Sequence, residues 1–138
     1  MARRTKQDAD ATRTRLLDAA EQVFYQKGVS RASLNDIACE AGATRGAIYW
    51  HFKDKGDLFN AMMDRVTSPL QQAMGEDEAT AYLPALQRLR DRIDFVQQCI
   101  STDDRMCRVF EIALFRVEYV DDLAVVRDRH IEECGAFQ

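Results

Sequence analysis

The sequence predicts an all-α fold, and three observations carry that reading. Proline and glycine are scarce, two and six among 138 residues, too few for the many turns that short strands require. Apolar residues recur every three or four positions along most of the chain, the period of one helix face. Cap signals bracket those stripes, with Ser, Thr or Asp before them and Gly after.

The elements follow in order. Leu16, Ala20, Val23 and Phe24 form the first stripe. Its helix is expected to begin between Asp8 and Thr12, and Lys27 and Gly28 supply a last-turn cation and a C-terminal glycine. Ser33 and Asp36 form an S-x-x-D box that opens a short second helix. Leu34, Ile37, Ala38 and Ala41 are its buried side, and Gly42 stops it. Thr44 caps a third helix running to about His51. Two short helices joined by a glycine-containing turn make a helix-turn-helix.

A fourth helix is expected from Asp54 or Lys55, with Leu58, Phe59, Met62, Met63 and Val66 on its apolar face. Pro69 removes a backbone donor, so this helix must kink or end nearby. Gly75 and the acidic Glu76-Asp77-Glu78 read as a linker. Beyond it Leu83, Leu86, Leu89, Ile93, Val96 and Ile100 step at helical spacing, with Pro84 in the first turn. Thr102-Asp103-Asp104 is a turn or cap. Met106, Phe110, Ala113, Leu114 and Val117 make the next stripe. Asp121-Asp122 precede a last one, Leu123, Val126, His130 and Phe137.

Composition narrows the function classes. Apolar residues make up 46% and charged residues 30%, a globular profile rather than a disordered one. No apolar run approaches the ~18 residues of a membrane span. The opening MARRTKQDADATRTR lacks the apolar stretch of a signal peptide. The expectation is a cytoplasmic protein with no membrane partner. Cys39, Cys99, Cys107 and Cys134 show no metal-binding spacing and read as reduced, mostly buried thiols; a redox role for Cys99 or Cys107 is the alternative. No nucleotide loop, metal cluster or Ser/His/Asp set suggests an enzyme, and no cofactor is called for.

Charge is uneven. Residues 1–56 carry ten Lys/Arg against seven Asp/Glu, whereas residues 57–138 carry nine against sixteen. All four lysines lie within the first 55 residues. A basic first half on an acidic chain points to a polyanion partner for that half.

The stretch TRGAIYWHFKDK, residues 44–55, concentrates the signal. On a helical wheel Thr44, Ile48 and Phe52 share one face, and Ile48 and Phe52 suit a core. Arg45, Gly46 and Tyr49 look outward. Arg45 can bond two acceptors on a guanine edge, and Gly46 lets the backbone approach DNA closely. Tyr49 and His51 can donate to phosphate oxygens. Lys55, at the start of the fourth helix, adds a charge where free N–H groups favour an anion. Ser33, at the start of the second helix, is a further candidate phosphate contact. Trp50 suits either a cover over the core or the outward face.

The run TRTRLLDAAEQVFYQKG through LNDIACEAGATRGAIYWHFKDKGDLF resembles the DNA-binding domain of TetR-family transcriptional repressors. The resemblance covers about residues 10–65. It rests on Phe24 and Gly28, the Ile37-Ala38 pair, Gly42, the G-x-x-Y-x-H-F signature at Gly46, Tyr49, His51 and Phe52, then Lys55 and Leu58. The MARRTK opening and YWHFK string are most similar to the AcrR/TtgR-like branch, repressors of multidrug efflux pumps.

The resemblance implies a helix-turn-helix DNA-binding domain over residues 1–56 and a helical ligand-binding and dimerisation domain over residues 57–138, which stops short of the family's last two long helices. It implies homodimers on palindromic double-stranded operator DNA. It also implies release when a small hydrophobic or amphipathic effector enters the C-terminal domain and tilts the fourth helix. Dimerisation of a chain this short is doubtful, and repressor activity is expected to be impaired. Ile93, Val96, Cys99, Ile100, Phe110, Leu114 and His130 are the pocket candidates; the same residues also suit a plain helix-bundle core.

Overall fold

The computed structural model of the protein describes residues 5–75 and 82–117. Six helices and no strand occur among the described residues: α1 Lys6–Lys27, α2 Leu34–Ala41, α3 Arg45–His51, α4 Lys55–Ala73, α5 Ala85–Thr102 and α6 Asp104–Phe115. The linker residues 76–81 and the last stripe, including Cys134 and His130, lie outside the described residues.

Caps explain most of the boundaries. Thr5 Oγ1 accepts the Asp8 N–H at 3.2 Å, and the Thr5 N–H donates to Asp8 Oδ2 at 3.2 Å. This reciprocal capping box starts α1 at Lys6, earlier than the Asp8–Thr12 window expected from sequence. Gly28 ends it at φ 83°, a conformation that penalises a side chain, and donates to the Phe24 carbonyl at 2.9 Å. Ser33 and Asp36 form the expected box on α2. Gly42 closes α2 in the left-handed region, φ 65° and ψ 29°. Its N–H donates to Cys39 O at 3.1 Å and the Ala43 N–H to Ala38 O at 2.9 Å, a Schellman motif that turns the chain into α3.

α4 runs on one turn beyond Pro69 to Ala73. Pro69 is exposed, and only the Arg65 carbonyl loses its intrahelical donor to the proline ring. Pro84 stands just before α5, as its N-cap, rather than within its first turn.

The core is one cluster. Leu16, Ala20 and Phe24 of α1 meet Ile37 of α2, Ile48 of α3, Phe52, and Leu58, Phe59, Met62 and Val66 of α4. Phe24 and Phe59 pack with ring centroids 6.0 Å apart. Burying each of these large side chains stabilises the fold by about 1.5–3 kcal/mol relative to exposure. Val109 and Ile112 of α6 belong to the same cluster. The apolar core therefore runs across the 56/57 boundary drawn from the sequence.

Beyond α4 both expected stripes lie mostly on helices, but they are only partly buried. The buried face of α6 is Met106, Val109 and Ile112; Phe110 is half-buried and Leu114 is exposed. α6 lies on α1 and α4, so its orientation is chosen by the head's apolar surface rather than by its own longest stripe. α5 packs chiefly against α6 and buries no residue, leaving Leu86, Leu89 and Ile93 exposed. Among the described residues the thiols are not mostly buried. Cys39 and Cys107 are exposed on the outer sides of α2 and α6, and Cys99 is half-buried.

A charged cluster joins α1, α4 and α6. Glu21 is 2% exposed. Its carboxylate takes the guanidinium of Arg65, with Arg105 at 3.5 Å and Arg108 at 3.7 Å. Arg65 and Arg105 also reach Asp18, at 2.8 and 3.1 Å. A carboxylate removed from water this completely needs such partners. The sequence reading missed it, because Glu21 sits beside the α1 stripe and its partners lie 44 to 87 positions away.

Candidate nucleic-acid interface

The third helix is built by local chemistry. Thr44 Oγ1 accepts the Ala47 N–H at 3.1 Å, and the Phe52 N–H closes the far end on the Ile48 carbonyl at 2.9 Å. Ile48 and Phe52 are fully buried, as their shared face requires. The Arg13 guanidinium lies over the Phe52 ring, 4.7 Å from its centroid. α3 is thus held to its own domain by one side, and its other side is presented outward.

That outward side carries Arg45, Gly46 and Tyr49, all exposed. The Arg45 guanidinium stands 5.7 Å from the centroid of the Tyr49 ring, so the two act as one cationic and aromatic surface. At Gly46 a Cβ would meet nothing nearer than Thr44 Oγ1 at 4.0 Å. Nothing inside the molecule demands a small residue there.

Trp50 is 75% exposed, so it does not cover the core. Its ring meets His51 edge to face at 4.7 Å. Trp50 and the half-buried His51 border a hollow shared with Thr5, Lys6, Ala9, Asp10 and Arg13 at the start of α1.

A second, more open groove lies between the start of α2 and α3. Ser33, Asn35, Arg45, Tyr49, Lys53 and Lys55 line it. Neither Asn35 nor Lys53 is among the contacts expected from the sequence; only the approach of α2 to α3 brings them here. Ser33 is exposed at the N-cap, its oxygen accepting the Asp36 N–H at 3.0 Å. Its N–H and then its hydroxyl hold the Asp36 carboxyl below the usual carboxylate value, helped by Lys27 at 3.4 Å. Lys55 differs from expectation. Its ammonium is turned inward, donating to the carbonyls of Ser30 and Ala32, each at 3.1 Å.

The pocket candidates are unevenly enclosed. Ile93 and Leu114 are exposed, and Val96, Cys99, Ile100 and Phe110 are half-buried. His130 lies outside the described residues. A hollow of about 160 Å³ at the end of α4 is lined instead by Ala73, Met74, Gly75, Arg88, Asp91, Arg92 and Phe95. That is smaller than the roughly 300 Å³ of ordinary ligand pockets. The physical reason is that a helix face becomes a pocket wall only when another element closes over it. Among the described residues no group of three or more His, Cys, Asp or Glu could hold a metal ion. No helix there is long and apolar enough to cross a membrane.

Comparison with known proteins bears on this geometry. Residues 16–62, from α1 into α4, match the model of bacterial regulatory proteins, tetR family. The chain is 41% identical over 134 residues to the HTH-type transcriptional regulator AcrR of Shigella flexneri, covering 97% of this chain and 62% of that protein. Among solved structures it is similar to NalD, the secondary repressor of the MexAB-OprM multidrug efflux pump in Pseudomonas aeruginosa. There the TM-score is 0.78 at 38% identity, over 91% of this chain and 62% of NalD. It is also similar to SmeT in complex with triclosan, with a TM-score of 0.68 at 32% identity over 86% of this chain and 58% of SmeT. SmeT is the repressor of the Stenotrophomonas maltophilia pump SmeDEF. The chain spans about three fifths of the length of these relatives. With its capped helix-turn-helix, its outward Arg45-Tyr49 surface and this match, the chain carries the N-terminal domain of the tetR family of bacterial regulatory proteins.

Proposed function

We propose that this chain supplies the operator-binding part of a ligand-responsive repressor of a multidrug efflux operon. The observation that carries the proposal is the division of α3 into two faces. Ile48 is buried under the helix while Arg45, Gly46 and Tyr49 stand outside with space around them. In such a motif the second helix enters the major groove. Arg45 reads a base edge, and Gly46 lets the backbone come close. Thr44, Tyr49, Trp50, His51 and Ser33 meet phosphates on either side and set the register.

Residues 1–56 act as the DNA head and residues 57–138 as the regulatory part. The effector is a small apolar or amphipathic molecule; a relative, SmeT, has been solved in complex with one such compound, triclosan. Two heads on a palindrome place their reading helices about 34 Å apart, one turn of DNA. A single head holds a half-site weakly, since tethering makes the second contact intramolecular.

The test is binding of the chain to the promoter duplex beside its own gene, measured by fluorescence anisotropy across a salt series. Affinity is expected to fall steeply with salt as phosphate contacts release counterions, and to fall further on Tyr49→Ala. Binding equal to that of an unrelated duplex would overturn the assignment. Addition of triclosan is expected to release the duplex; unchanged binding at saturating triclosan would remove that compound from the effector class.

A further inference from the structure

We propose that Lys55 is a positioning residue that sets the width of the DNA-facing groove, rather than a phosphate contact. This rests on the reading of α3 as the DNA-reading helix. Lys55 is the first residue of α4 and is half-buried. An ammonium has three N–H donors. Two acceptors, the Ser30 and Ala32 carbonyls, lie 3.1 Å from it. Both belong to the turn between α1 and α2, immediately before the Ser33 cap.

α4's own stability does not account for a cation here. The start of a helix is the positive end of its dipole, where a lysine is disfavoured. The carbonyls of the turn offset that, and charge-assisted bonds of this type are stronger than neutral ones. The turn is also held from its other side, with the Ala32 N–H on Gly28 O at 3.2 Å and the Val29 N–H on Arg116 O at 2.9 Å. Lys55 therefore ties the start of α4 to the start of α2.

That tie borders the groove, since Ala32 and Lys55 both line it. One wall is the first turn of α2, with Ser33 and Asn35; the other is α3, with Arg45 and Tyr49. By holding the turn before α2 to the start of α4, just after α3, Lys55 sets their spacing, so that α2 and α3 can engage one duplex together. A lysine spent on two carbonyls contributes to affinity through geometry instead of through counterion release.

The experiment compares Lys55→Met with Lys53→Met in the full 138-residue chain. Lys53 is exposed, lines the same groove and loses the same charge. Amide hydrogen exchange is measured without DNA, then affinity for the promoter duplex across a salt series. In Lys55→Met the Val29 and Ala32 amides are expected to exchange at least about tenfold faster, while the α1 core amides keep their protection; Lys53→Met leaves both unchanged. Affinity is expected to fall in Lys55→Met with the slope of log affinity against log salt preserved. Unchanged exchange at Val29 and Ala32 overturns the proposal, and so does a slope shallower by about 0.9, the signature of one lost phosphate contact. If exchange responds but the wild-type chain binds no duplex, the DNA reading fails while the tie between α4 and α2 stands.

Discussion

Arg65 of α4 lays its guanidinium on the carboxylate of Glu21 in α1, and Glu21 is 2% exposed. Arg105 and Arg108 of α6 approach the same carboxylate. One buried acid in the head thus fixes the angle of α4 and docks α6, alongside the apolar contacts of Val109 and Ile112. Glu21→Ala removes the acid and leaves Arg65 with Asp18 as its remaining carboxylate partner. The expected loss of stability is about 3 kcal/mol, the low end for a broken buried pair because Arg105 and Arg108 stay partly solvated. Urea unfolding of Glu21→Ala, Arg65→Met and the double variant checks it. The double variant should be less destabilised than the two single losses summed; strict additivity would show that the pair is not coupled.

Ile48 and Tyr49 are neighbours in sequence, yet Ile48 is buried and Tyr49 is exposed. Ile48→Ala is expected to cost about 2–5 kcal/mol of stability by opening a cavity in the core. Tyr49→Ala is expected to change stability by no more than about 0.5 kcal/mol, as for other exposed positions, yet to weaken operator binding. Thermal unfolding and anisotropy on the same two proteins separate the roles. A Tyr49→Ala protein that unfolds as readily as Ile48→Ala would contradict the two-face description.

Gly46 has room for a methyl group inside the molecule, and the helix would gain from one. Gly46→Ala is expected to raise stability by up to about 1 kcal/mol, the helix-propensity difference. The same methyl group stands where the backbone must approach DNA, so affinity for the duplex should drop. Equal or tighter binding would mean that the close approach occurs elsewhere on the surface.

Asp36 supplies a pH test. Hydrogen bonds from Ser33, and then the charge of Lys27, hold its folded-state carboxyl below the ordinary value of 3.8. A lowered folded value means that its contribution is fully present above about pH 4 and is lost as pH falls through the folded value. The stability difference between the wild type and Asp36→Asn should therefore be constant from pH 7 to about pH 4 and shrink below that. Urea midpoints at four or five pH values would read it. A difference that grew on acidification would have the wrong sign.

The head was legible in the sequence because its signals are local. The Ser33-Asp36 box, the Gly42 stop and the Thr44 cap each act within four residues, and backbone geometry leaves them few alternatives. The burial of Ile48 and Phe52 followed from a seven-residue helix with one apolar side. The region after α4 was less legible. The stripes of α5 and α6 announced helices, but a stripe does not name its partner. α6 turned Met106, Val109 and Ile112 inward because the head offered an apolar surface that fits them, and Leu114 was left outside.

By itself, then, the sequence determined the helices of the head, their caps and the outward placement of Arg45, Gly46 and Tyr49. Only the tertiary structure decided that Glu21 is a buried junction, that Lys55 bonds to the α1–α2 turn, and that Trp50, Ile93 and Leu114 are exposed. The physical reason is the range of the forces involved. Helix period and capping act over three or four residues and are written in adjacent letters. Salt bridges across 44 to 87 positions, and the closing of one helix face by another, depend on which surfaces meet when the chain is compact.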